Sequence, residues 1–476
     1  MSEVDRAASR ALELLGPAPA SWVPVAEGVD RDVVIVGAGQ SGIAIAFALL
    51  RAGITNIEVI DAETGTPGVW SNRAYMERLR TPKANRGPDL GIPALTFRAW
   101  YEARSGATAY DAFDTAPREA WDDYLAWLRR SLGISVRGGT RLRLITRANR
   151  RFELELEENG APVRLAARKL VLATGIAGSG GPAIPDVLRG LPPGLVAHSY
   201  DRFSFDDFRG KRIGILGAAS SAFDIAASAL EHGAAEAHLF SRGAELAHFT
   251  QLRATAYGGI DGFHVLPDAD RWEIARLIRQ RGPAPSKDTL ARALRLPGLH
   301  LHLAAPWRKA RAAGGGRVEV EIDAGPFVFD AVVAGTGFTY DPTLAPELAA
   351  LAPQIALWGD RYTPPAAKRD PVLARFPYLG PGYEFTEKHP GTAPFVRDVH
   401  CFTPAAIASF GRFVSDVASL ATGVPRLVSA IIESFVRADR AHHLARMTQQ
   451  PADDIAFSDY AAAVRPAAAT LAALPE

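Results

Sequence analysis

Two segments of this chain, residues 32–61 and 212–242, share one pattern that restricts the fold more than any other feature. Each runs from an apolar strand through a turn of small residues into a helix, and then into a second strand. This pattern is typical of a dinucleotide-binding βαβ unit, in which a parallel sheet carries helices on its faces. The sequence therefore predicts an α/β protein with two Rossmann-like domains. Two dinucleotide sites in one chain favour electron transfer between two cofactors.

The first unit carries its glycines as Gly37-x-Gly39-x-x-Gly42. In such a motif the first glycine allows a tight turn, the second lets a pyrophosphate approach the backbone, and the third lets helix and strand pack closely. Gln40 and Ser41 open the helix, whose free N–H groups and positive dipole end attract phosphate. We predict that these five residues bind a dinucleotide.

The second unit departs from this motif, because it reads Gly217-x-Ala219-x-x-Ala222 and so has a methyl group at the middle position. The backbone can still approach a phosphate, though less closely. The hydroxyl groups of Ser220 and Ser221 can donate hydrogen bonds to it. We predict that Gly217, Ser220 and Ser221 bind the second dinucleotide.

The two units also differ in the charge at the end of their second strand. Asp61 ends the first unit and can accept hydrogen bonds from a ribose hydroxyl, while its charge would repel a 2′-phosphate. Arg242 stands at the matching place in the second unit, where its guanidinium fits a 2′-phosphate in charge and shape. This difference predicts FAD in the first unit and NADPH in the second. An ordinary surface acid and an ordinary surface arginine remain the alternatives at these two positions.

Pro- and Gly-rich stretches and repeated strand patterns predict the domain organisation. Residues 1–30 are an N-terminal extension, and residues 31–180 with 331–476 form the FAD-binding domain. The NADPH-binding domain, residues 185–330, is inserted within it and carries a helical insertion at about 261–297. We expect this insertion to lie at the mouth of the active site and to control which substrate enters. The alternative is that this insertion is a solvent-exposed segment that does not contact the substrate.

The composition restricts the partners of the protein. The 476 residues are 48% hydrophobic with a formal net charge of +1, so neither a nucleic acid nor a membrane surface is expected as a partner. No apolar run reaches the roughly 18 residues of a membrane span, and residues 420–436 fit a core helix better. The expected partner is a small-molecule substrate. The composition does not decide whether the protein forms a homo-oligomer.

The single cysteine, Cys401, excludes both an intramolecular disulfide and a pair of redox-active thiols. A reductase that uses two dinucleotides and a disulfide is therefore excluded. The sequence instead indicates a reduced, cytoplasmic protein. His, Asp, Glu and Cys show no metal-ligand spacing, so no metal site is predicted.

Several short motifs follow one another along residues 30–440, with residues 245–315 matching least. In chain order they are Gly68-Val69-Trp70, Leu79-Arg80-Thr81-Pro82-Lys83, Pro88-Asp89, His198-Ser199-Tyr200 and Gly423-Val424-Pro425. Two strands that end in Thr-Gly turns, VLATG and VVAGTGF, complete the series. Together they resemble the class B, single-component flavoprotein monooxygenases, which include flavin-containing and N-hydroxylating enzymes.

The resemblance implies an FAD-dependent, NADPH-consuming enzyme that transfers one oxygen atom from O2 to a small nucleophilic substrate through a flavin hydroperoxide. N-hydroxylation of an amine is the first choice. The resemblance implies that the cofactors contact Gly68, Val69, Trp70, Thr81, Thr174, Gly175 and Gly337. Lys83 and Asp89 are the catalytic candidates, with simple solvation of Lys83 and capping of a turn by Asp89 as alternatives.

Three positions depart from the family pattern. Pro82 stands where some members have an asparagine that helps to hold oxygenated flavin, and Pro192 and Arg202 replace aromatic residues of the inter-domain motif. Two other functions therefore stay open. One is an FAD-dependent NAD(P)H oxidase or dehydrogenase, and the other is a nucleotide-binding sensor without oxygenation activity.

Overall fold

The computed structural model describes residues 2–65, 68–248, 261–411, 414–449 and 454–464. The chain divides into two units, Met1–Ile431 and Ile432–Glu476. The strands are β1 (Arg31–Val36), β2 (Ile57–Ile60), β3 (Arg78–Pro82), β4 (Thr115–Pro117), β5 (Thr140–Ala148), β6 (Arg151–Glu158), β7 (Ala161–Leu172), β8 (Gly181–Pro182), β9 (Val196–His198), β10 (Arg212–Leu216), β11 (Glu236–Phe240), β12 (Leu299–His302), β13 (Lys309–Ala313), β14 (Arg317–Ile322), β15 (Gly325–Phe329), β16 (Ala331–Ala334), β17 (Phe338–Thr339) and β18 (Val399–Cys401). The helices of the described residues are α1 (Glu3–Leu14), α2 (Gln40–Arg51), α3 (Phe97–Ser105), α4 (Ala107–Asp111), α5 (Arg118–Ser131), α6 (Asp186–Arg189), α7 (Ser220–Glu231), α8 (Asp268–Arg281), α9 (Lys287–Leu294), α10 (Trp358–Arg361), α11 (Ile407–Phe410), α12 (Val417–Ala438) and α13 (Arg440–Thr448).

The first sheet has the strand order β2-β1-β7-β6-β5, with β18 also paired to β7. Strand β1 runs parallel to both β2 and β7, and α2 connects β1 to β2. The middle of the sheet is apolar on both faces, since β1 is buried from Asp32 to Val36. Strands β5, β6 and β7 form an antiparallel meander at the other side. This is the first βαβ unit of the sequence.

The second sheet is parallel throughout, in the order β12-β11-β10-β16-β9. Helix α7 connects β10 to β11 as α2 connects β1 to β2. All five strands lie in the chain between β7 and β18, which both belong to the first sheet. The chain passes between the two sheets twice, after β7 and after β16. The short antiparallel pair β8–β17 connects these two segments. The predicted α/β fold is confirmed, and the strands of the second sheet lie in the chain between two strands of the first.

Two predicted helical regions are also present. The spacing of Trp121, Tyr124, Trp127 and Leu128 predicts an amphipathic helix over residues 117–132, and the structure buries this apolar face in α5. Helix α1 of the N-terminal extension adds Val4 and Ala8 to this same core. The predicted helical insertion consists of α8 and α9, and the residues before 261 lie outside the described part of the chain. The domain boundaries themselves stay predictions.

Helix α12 is the one helix among the described residues that is long and apolar enough to cross a membrane by length and composition. The core helix of a soluble protein passes the same test. The helix contains Pro425 and Arg426, and the Arg426 guanidinium bonds to two residues of the folded chain. A charge held in this way is typical of a core helix. The second unit, taken by itself, holds the end of α12, then α13 and two short 3-10 turns.

Candidate active site

Two of the three glycines in the first turn are required by the protein chain itself. Gly37 has φ of +104°, and a Cβ there would lie 2.4 Å from the carbonyl oxygen of Ala173. A Cβ on Gly42 would lie 1.8 Å from the carbonyl oxygen of Gly37. The turn, the helix and the neighbouring strand are therefore too close for any side chain, as the motif predicts.

Gly39 is different, because the protein leaves room beside it. A Cβ on Gly39 would meet only the Cα of Gly68, at 3.7 Å, and a Cβ on Gly68 would meet the Cα of Gly39 at 3.6 Å. Two bare backbone segments thus face one another at the N-terminus of α2. Arg118 donates a hydrogen bond of 2.5 Å to the carbonyl of Trp70, and Val69 accepts backbone bonds that close the turn. The structure brings together the residues predicted to hold the pyrophosphate.

Asp61 lies at the end of β2 and is buried, so it is not an ordinary surface acid. One carboxylate oxygen accepts a hydrogen bond of 2.7 Å from the backbone N–H of Ala38, and the other accepts one of 2.9 Å from Glu63. The acid thus ties the end of the strand to the glycine turn. A carboxylate has about four lone-pair sites, so capacity remains for a ribose hydroxyl.

Gln40 connects the start of α2 to the loop before α12. Its Nε2 donates to the carbonyl of Ser415 at 2.8 Å, and its Oε1 accepts from Trp121 at 3.2 Å. Ser41 beside it is buried. Residues 412–413 lie outside the described chain, and this contact places the backbone of Ser415 beside the start of α2.

An unpaired hydroxyl group marks the end of β7. The Oγ1 atom of Thr174 is buried and has no hydrogen-bond partner among the described residues. Thr174 follows Ala173, whose carbonyl packs on Gly37. Gly175 has φ of +74° and turns the chain away. A buried donor without a partner is costly, and a cofactor oxygen at this turn would satisfy it. These residues therefore fit FAD.

The two catalytic candidates from the sequence have partners within the protein. The Lys83 ammonium donates to the carbonyl of Tyr110 at 2.5 Å and lies 4.1 Å from the centre of its ring. Asp89 is buried and accepts hydrogen bonds from the backbone of Gly87 and Gly91, at 3.1 and 2.8 Å. Asp89 therefore caps a turn, which was the alternative for it. A catalytic role for either residue stays a prediction. The same holds for cofactor binding by Thr81, which lies in β3.

The second nucleotide turn is built like the first, with Ala219 and Ala222 in the places of Gly39 and Gly42. Gly217 has φ of +130°, and a Cβ there would lie 2.3 Å from the carbonyl oxygen of Gly335. Ala222 occupies the place of Gly42, and its methyl group is accommodated because Gly335 has no side chain. The Ser220 hydroxyl accepts a hydrogen bond of 3.1 Å from the start of α9, whereas Ser221 is exposed. Ser221 is thus the better placed donor to a phosphate.

Arg242 lies just after β11 and is exposed. None of the described residues forms an ion pair or a hydrogen bond with its side chain. Its guanidinium can therefore accept an anionic partner such as a 2′-phosphate. Gly337, with φ of +76°, accepts hydrogen bonds from Ala183 and from the His198 ring Nε2, both at 2.9 Å. These bonds join the two crossings between the domains.

An ion pair between the two nucleotide units was missed from the sequence. Asp224 of α7 is buried, and its carboxylate lies 2.9 Å from the guanidinium of Arg80 in β3. Burial raises the pKa of Asp224, while Arg80 and the hydroxyl of Thr289 oppose this shift. The available signal was an acid on the apolar side of a helix, which requires a partner when it is buried.

A cluster of potential metal ligands was also missed. Glu236, His238 and His300 place one ligand atom each within 4.8 Å of one another. The side chains meet because residues 236 and 238 share one face of β11 and His300 pairs with His238 in β12. Arg212 already bonds to the Glu236 carboxylate at 2.5 Å, and burial lowers the pKa of His238. A pattern of ligands at alternate positions of adjacent strands could have revealed this cluster.

A small cleft lies next to the first nucleotide turn. It is lined by Asp261, Tyr383, Phe410, Val414, Ser419, Thr422 and Arg426. The rings of Tyr383 and Phe410 stack with their centres 4.1 Å apart. Ser415, which bonds to Gln40, follows a residue of the lining directly. The cleft thus combines an aromatic surface, hydroxyl groups and an arginine beside the predicted flavin site.

Comparisons with known proteins agree with this architecture. The profile of the pyridine nucleotide-disulphide oxidoreductase family matches residues 34–254, which include both glycine turns. An FAD-dependent urate hydroxylase of Xanthomonas campestris pv. campestris is 41% identical over 416 residues, which cover 86% of this chain and 87% of the relative. The single cysteine separates this chain from the members of the broader family that use two thiols.

Solved structures share the fold at low sequence identity. The ornithine hydroxylase of Pseudomonas aeruginosa has a TM-score of 0.64 at 17% identity, covering 86% of this chain and 99% of that one. The L-lysine 6-monooxygenase of Pseudomonas syringae has a TM-score of 0.63 at 21% identity, with coverage of 86% and 99%. With the extensive similarity to the urate hydroxylase, these findings show that the chain belongs to the class B single-component flavoprotein monooxygenases, oxidoreductases that use FAD and NADPH.

Proposed function

We propose that this enzyme hydroxylates a small, nitrogen-rich heterocycle, with urate as the first candidate substrate. The observation that carries the proposal is the 41% identity to a urate hydroxylase across nearly the whole of both chains. Urate hydroxylation places oxygen on a ring carbon, whereas the sequence motifs favoured oxygen on the nitrogen of an amine. The balanced reaction consumes the substrate, O2, NADPH and a proton. It yields the hydroxylated product, water and NADP⁺.

The two cofactors would occupy the two glycine turns. We propose that the facing backbones of Gly39 and Gly68 hold the FAD pyrophosphate, with the Thr174 hydroxyl as a further donor. Ser221 and Arg242 would hold NADPH by its phosphates. Bound FAD, once NADPH has reduced it, supplies the activated oxygen that the protein's own side chains cannot supply.

The contributions of the chain are then positioning and exclusion of water. Helix α2 directs its free N–H groups at the cofactor phosphates, and Asp61 keeps the glycine turn in place. The Arg80–Asp224 pair holds helix α7 of the second nucleotide unit against β3. A fixed distance between the two dinucleotides favours direct reduction of one by the other.

Oxygen transfer can be separated from simple oxidation of NADPH by measuring all reactants at once. The purified enzyme with FAD is mixed with NADPH and urate, and NADPH loss, hydrogen peroxide release and hydroxylated product are followed. We expect product in near-equal amount to the NADPH consumed. Hydrogen peroxide equal to the NADPH consumed, with every substrate tried, would establish the oxidase alternative. Tight flavin without reduction by NADPH would establish the sensor alternative.

The second candidate is N-hydroxylation of a primary amine. The fold similarity to hydroxylases of ornithine and lysine favours it. The same assay with ornithine, lysine and cadaverine decides between the candidates, because the coupled substrate stimulates NADPH consumption and the others do not. A cytoplasmic location and a homo-oligomer stay predictions. Light scattering measures the oligomeric state.

A further inference from the structure

We propose that Glu236, His238 and His300 bind one divalent transition metal ion, with zinc as the first candidate. The three side chains belong to the edge strand of the second sheet, β12, and to its neighbour β11. Each offers one ligand atom, and these three atoms lie within 4.8 Å of one another. The ligand residues belong to neither glycine turn, so the proposal does not depend on the proposed function.

The parallel register of β11 and β12 brings the two histidines together. His238 pairs directly with His300. Their rings lie nearly parallel, at 22°, with the ring centres 4.4 Å apart. Glu236 precedes His238 by two positions in β11, so the two side chains lie on the same face of the sheet. Two imidazoles and one carboxylate form a zinc ligand set that leaves the fourth position to water.

The ring of His238 is held in place before any ion binds. Its side chain is 6% exposed, and its ring centre lies 5.3 Å from that of Phe329. Its Nε2 atom lies 3.1 Å from the Glu236 carboxylate, and its Nδ1 atom lies 3.0 Å from the Nε2 atom of His302. A histidine that binds a metal through one nitrogen donates a hydrogen bond from the other nitrogen to an outer partner. His302 is in the position of that partner for an ion at the Nε2 atom of His238.

The carboxylate of Glu236 keeps one oxygen for the ion. Its Oε2 atom accepts a hydrogen bond of 2.5 Å from Arg212 and lies near His238, whereas its Oε1 atom forms no hydrogen bond with the described residues. Arg212 is also held by the carbonyl of Val328, at 3.3 Å, and lies over the ring of Phe329. It can therefore orient the ligating carboxylate from outside. Because its positive charge opposes that of the ion, we expect a weaker site than one with four protein ligands.

The ion would fasten the edge strand of the second sheet. Strand β12 has four residues, and among the described strands it pairs with β11 alone. His300 is exposed while His238 is buried, so an ion could enter from solvent and still be anchored in the sheet. Glu236 begins β11 and Arg242 follows its carboxyl end, so the ion and NADPH would lie toward opposite ends of this strand. An ion that binds the folded chain alone raises the free energy of unfolding.

The test is calorimetric titration of zinc into the untagged, FAD-bound enzyme after a chelator has been added and removed. Wild type is compared with His300→Phe, which keeps a ring against His238 and removes the ligand nitrogen. His389→Gln, which changes an exposed histidine outside the cluster, is the control. We expect one zinc ion per chain in wild type and in the control. In His300→Phe, zinc affinity should fall by more than the roughly 10- to 100-fold that an outer partner contributes. Absence of zinc binding by wild type, or equal affinity in His300→Phe, overturns the proposal.

Urea unfolding with and without zinc provides a second measurement. Zinc should raise the unfolding midpoint of wild type and leave that of His300→Phe unchanged. His302→Phe, which keeps a ring against Phe240 and removes the outer acceptor, should weaken zinc binding roughly 10- to 100-fold. The FAD content shows whether each variant is folded, and Glu236→Gln replaces His300→Phe, with the same expectation, if that variant loses FAD. An equal rise of the midpoint in wild type and in the ligand variant shows that zinc binds elsewhere and overturns the proposal.

Discussion

The two nucleotide turns are built alike, and their differences show which features serve the fold and which serve the ligand. In both, the first glycine has a positive φ and packs on the carbonyl at the end of a neighbouring strand. A Cβ would lie 2.4 Å from that oxygen at Gly37 and 2.3 Å from it at Gly217. Both turns therefore need a glycine at this position because of packing within the protein, whether or not a ligand is bound. The remaining differences concern two methyl groups, on Ala219 and Ala222, and the charge at the strand end.

The two units differ in what restricts the third position of the motif. The first turn combines Gly42 with Ala173, and the second combines Ala222 with Gly335. A Cβ on Gly42 would lie 1.8 Å from the carbonyl oxygen of Gly37, within the same turn. In the second unit a Cβ on Gly335 would lie 2.9 Å from the Cβ of Ala222. Gly42 is therefore restricted by its own turn, whereas the methyl group of Ala222 restricts the residue on the neighbouring strand end.

The charge at the strand end differs in function rather than in packing. Asp61 is buried and bonded to its own glycine turn, whereas Arg242 is exposed and unpaired among the described residues. Asp61 therefore stabilises the glycine turn in addition to its predicted contact with the ribose of the ligand. The arginine has no scaffold role in the described structure, so its change should affect only the coenzyme.

The largest expected effect separates a structural glycine from a ligand-binding one. Gly42→Ala would place a Cβ 1.8 Å from the carbonyl oxygen of Gly37, and we expect a loss of more than about 3 kcal/mol in the free energy of unfolding. Gly39→Ala should leave the unfolding of the apoprotein nearly unchanged and lower FAD content. Urea unfolding and the flavin-to-protein absorbance ratio measure both. Equal destabilisation of the apoprotein by both changes would contradict the distinction.

Acid should weaken the fold through His400 of the first sheet. Burial lowers the pKa of His400, in β18, to about 4 from its usual value of 6.5. Because the unfolded state binds the proton more tightly, stability is complete above pH 6.5 and falls by about 3 kcal/mol between pH 6.5 and 4. We expect His400→Gln to remove this part of the pH dependence of urea unfolding. The exposed His389→Gln should behave as wild type, and parallel curves for all three proteins would show that His400 does not titrate as described.

The charge difference predicts a change in coenzyme preference. Arg242→Ala should weaken NADPH binding by roughly 1.5–3 kcal/mol, or about 10- to 100-fold in Kd, and leave NADH unchanged. Arg295→Ala, an exposed arginine of the same domain, is the control. Stopped-flow reduction of FAD at several coenzyme concentrations gives each Kd. An equal loss for NADPH and NADH would mean that Arg242 is structural.

The smallest effect concerns the exchanged methyl group. Gly335→Ala would place its Cβ 2.9 Å from the Cβ of Ala222. We expect overpacking to cost roughly 1–2 kcal/mol and to weaken NADPH binding without loss of FAD. Adding Ala222→Gly recreates the combination of the first turn and should restore most of the stability. A double-mutant cycle measures this coupling, and additive losses in the double variant would show that the two positions are independent.

Helix and strand patterns were predictable because they depend on neighbouring residues. The two βαβ units, the apolar face of α5 and the helical insertion were all read from local periodicity. The proximity of Gly68 to Gly39 was not predicted, since the resemblance implied only that Gly68 contacts a cofactor. The metal-ligand cluster of Glu236, His238 and His300 was not expected, since its spacing is regular only across two strands.

By itself, the sequence determined the fold class, the two dinucleotide turns and the opposite charges at their strand ends. These depend on residues at most a few turns apart, where glycine geometry and hydrophobic periodicity act directly. Only the tertiary structure decided that Asp89 caps a turn, that Arg80 pairs with Asp224, and that Arg426 meets His264. Buried charges and donors must find partners wherever the fold supplies them, and those partners are distant in the chain.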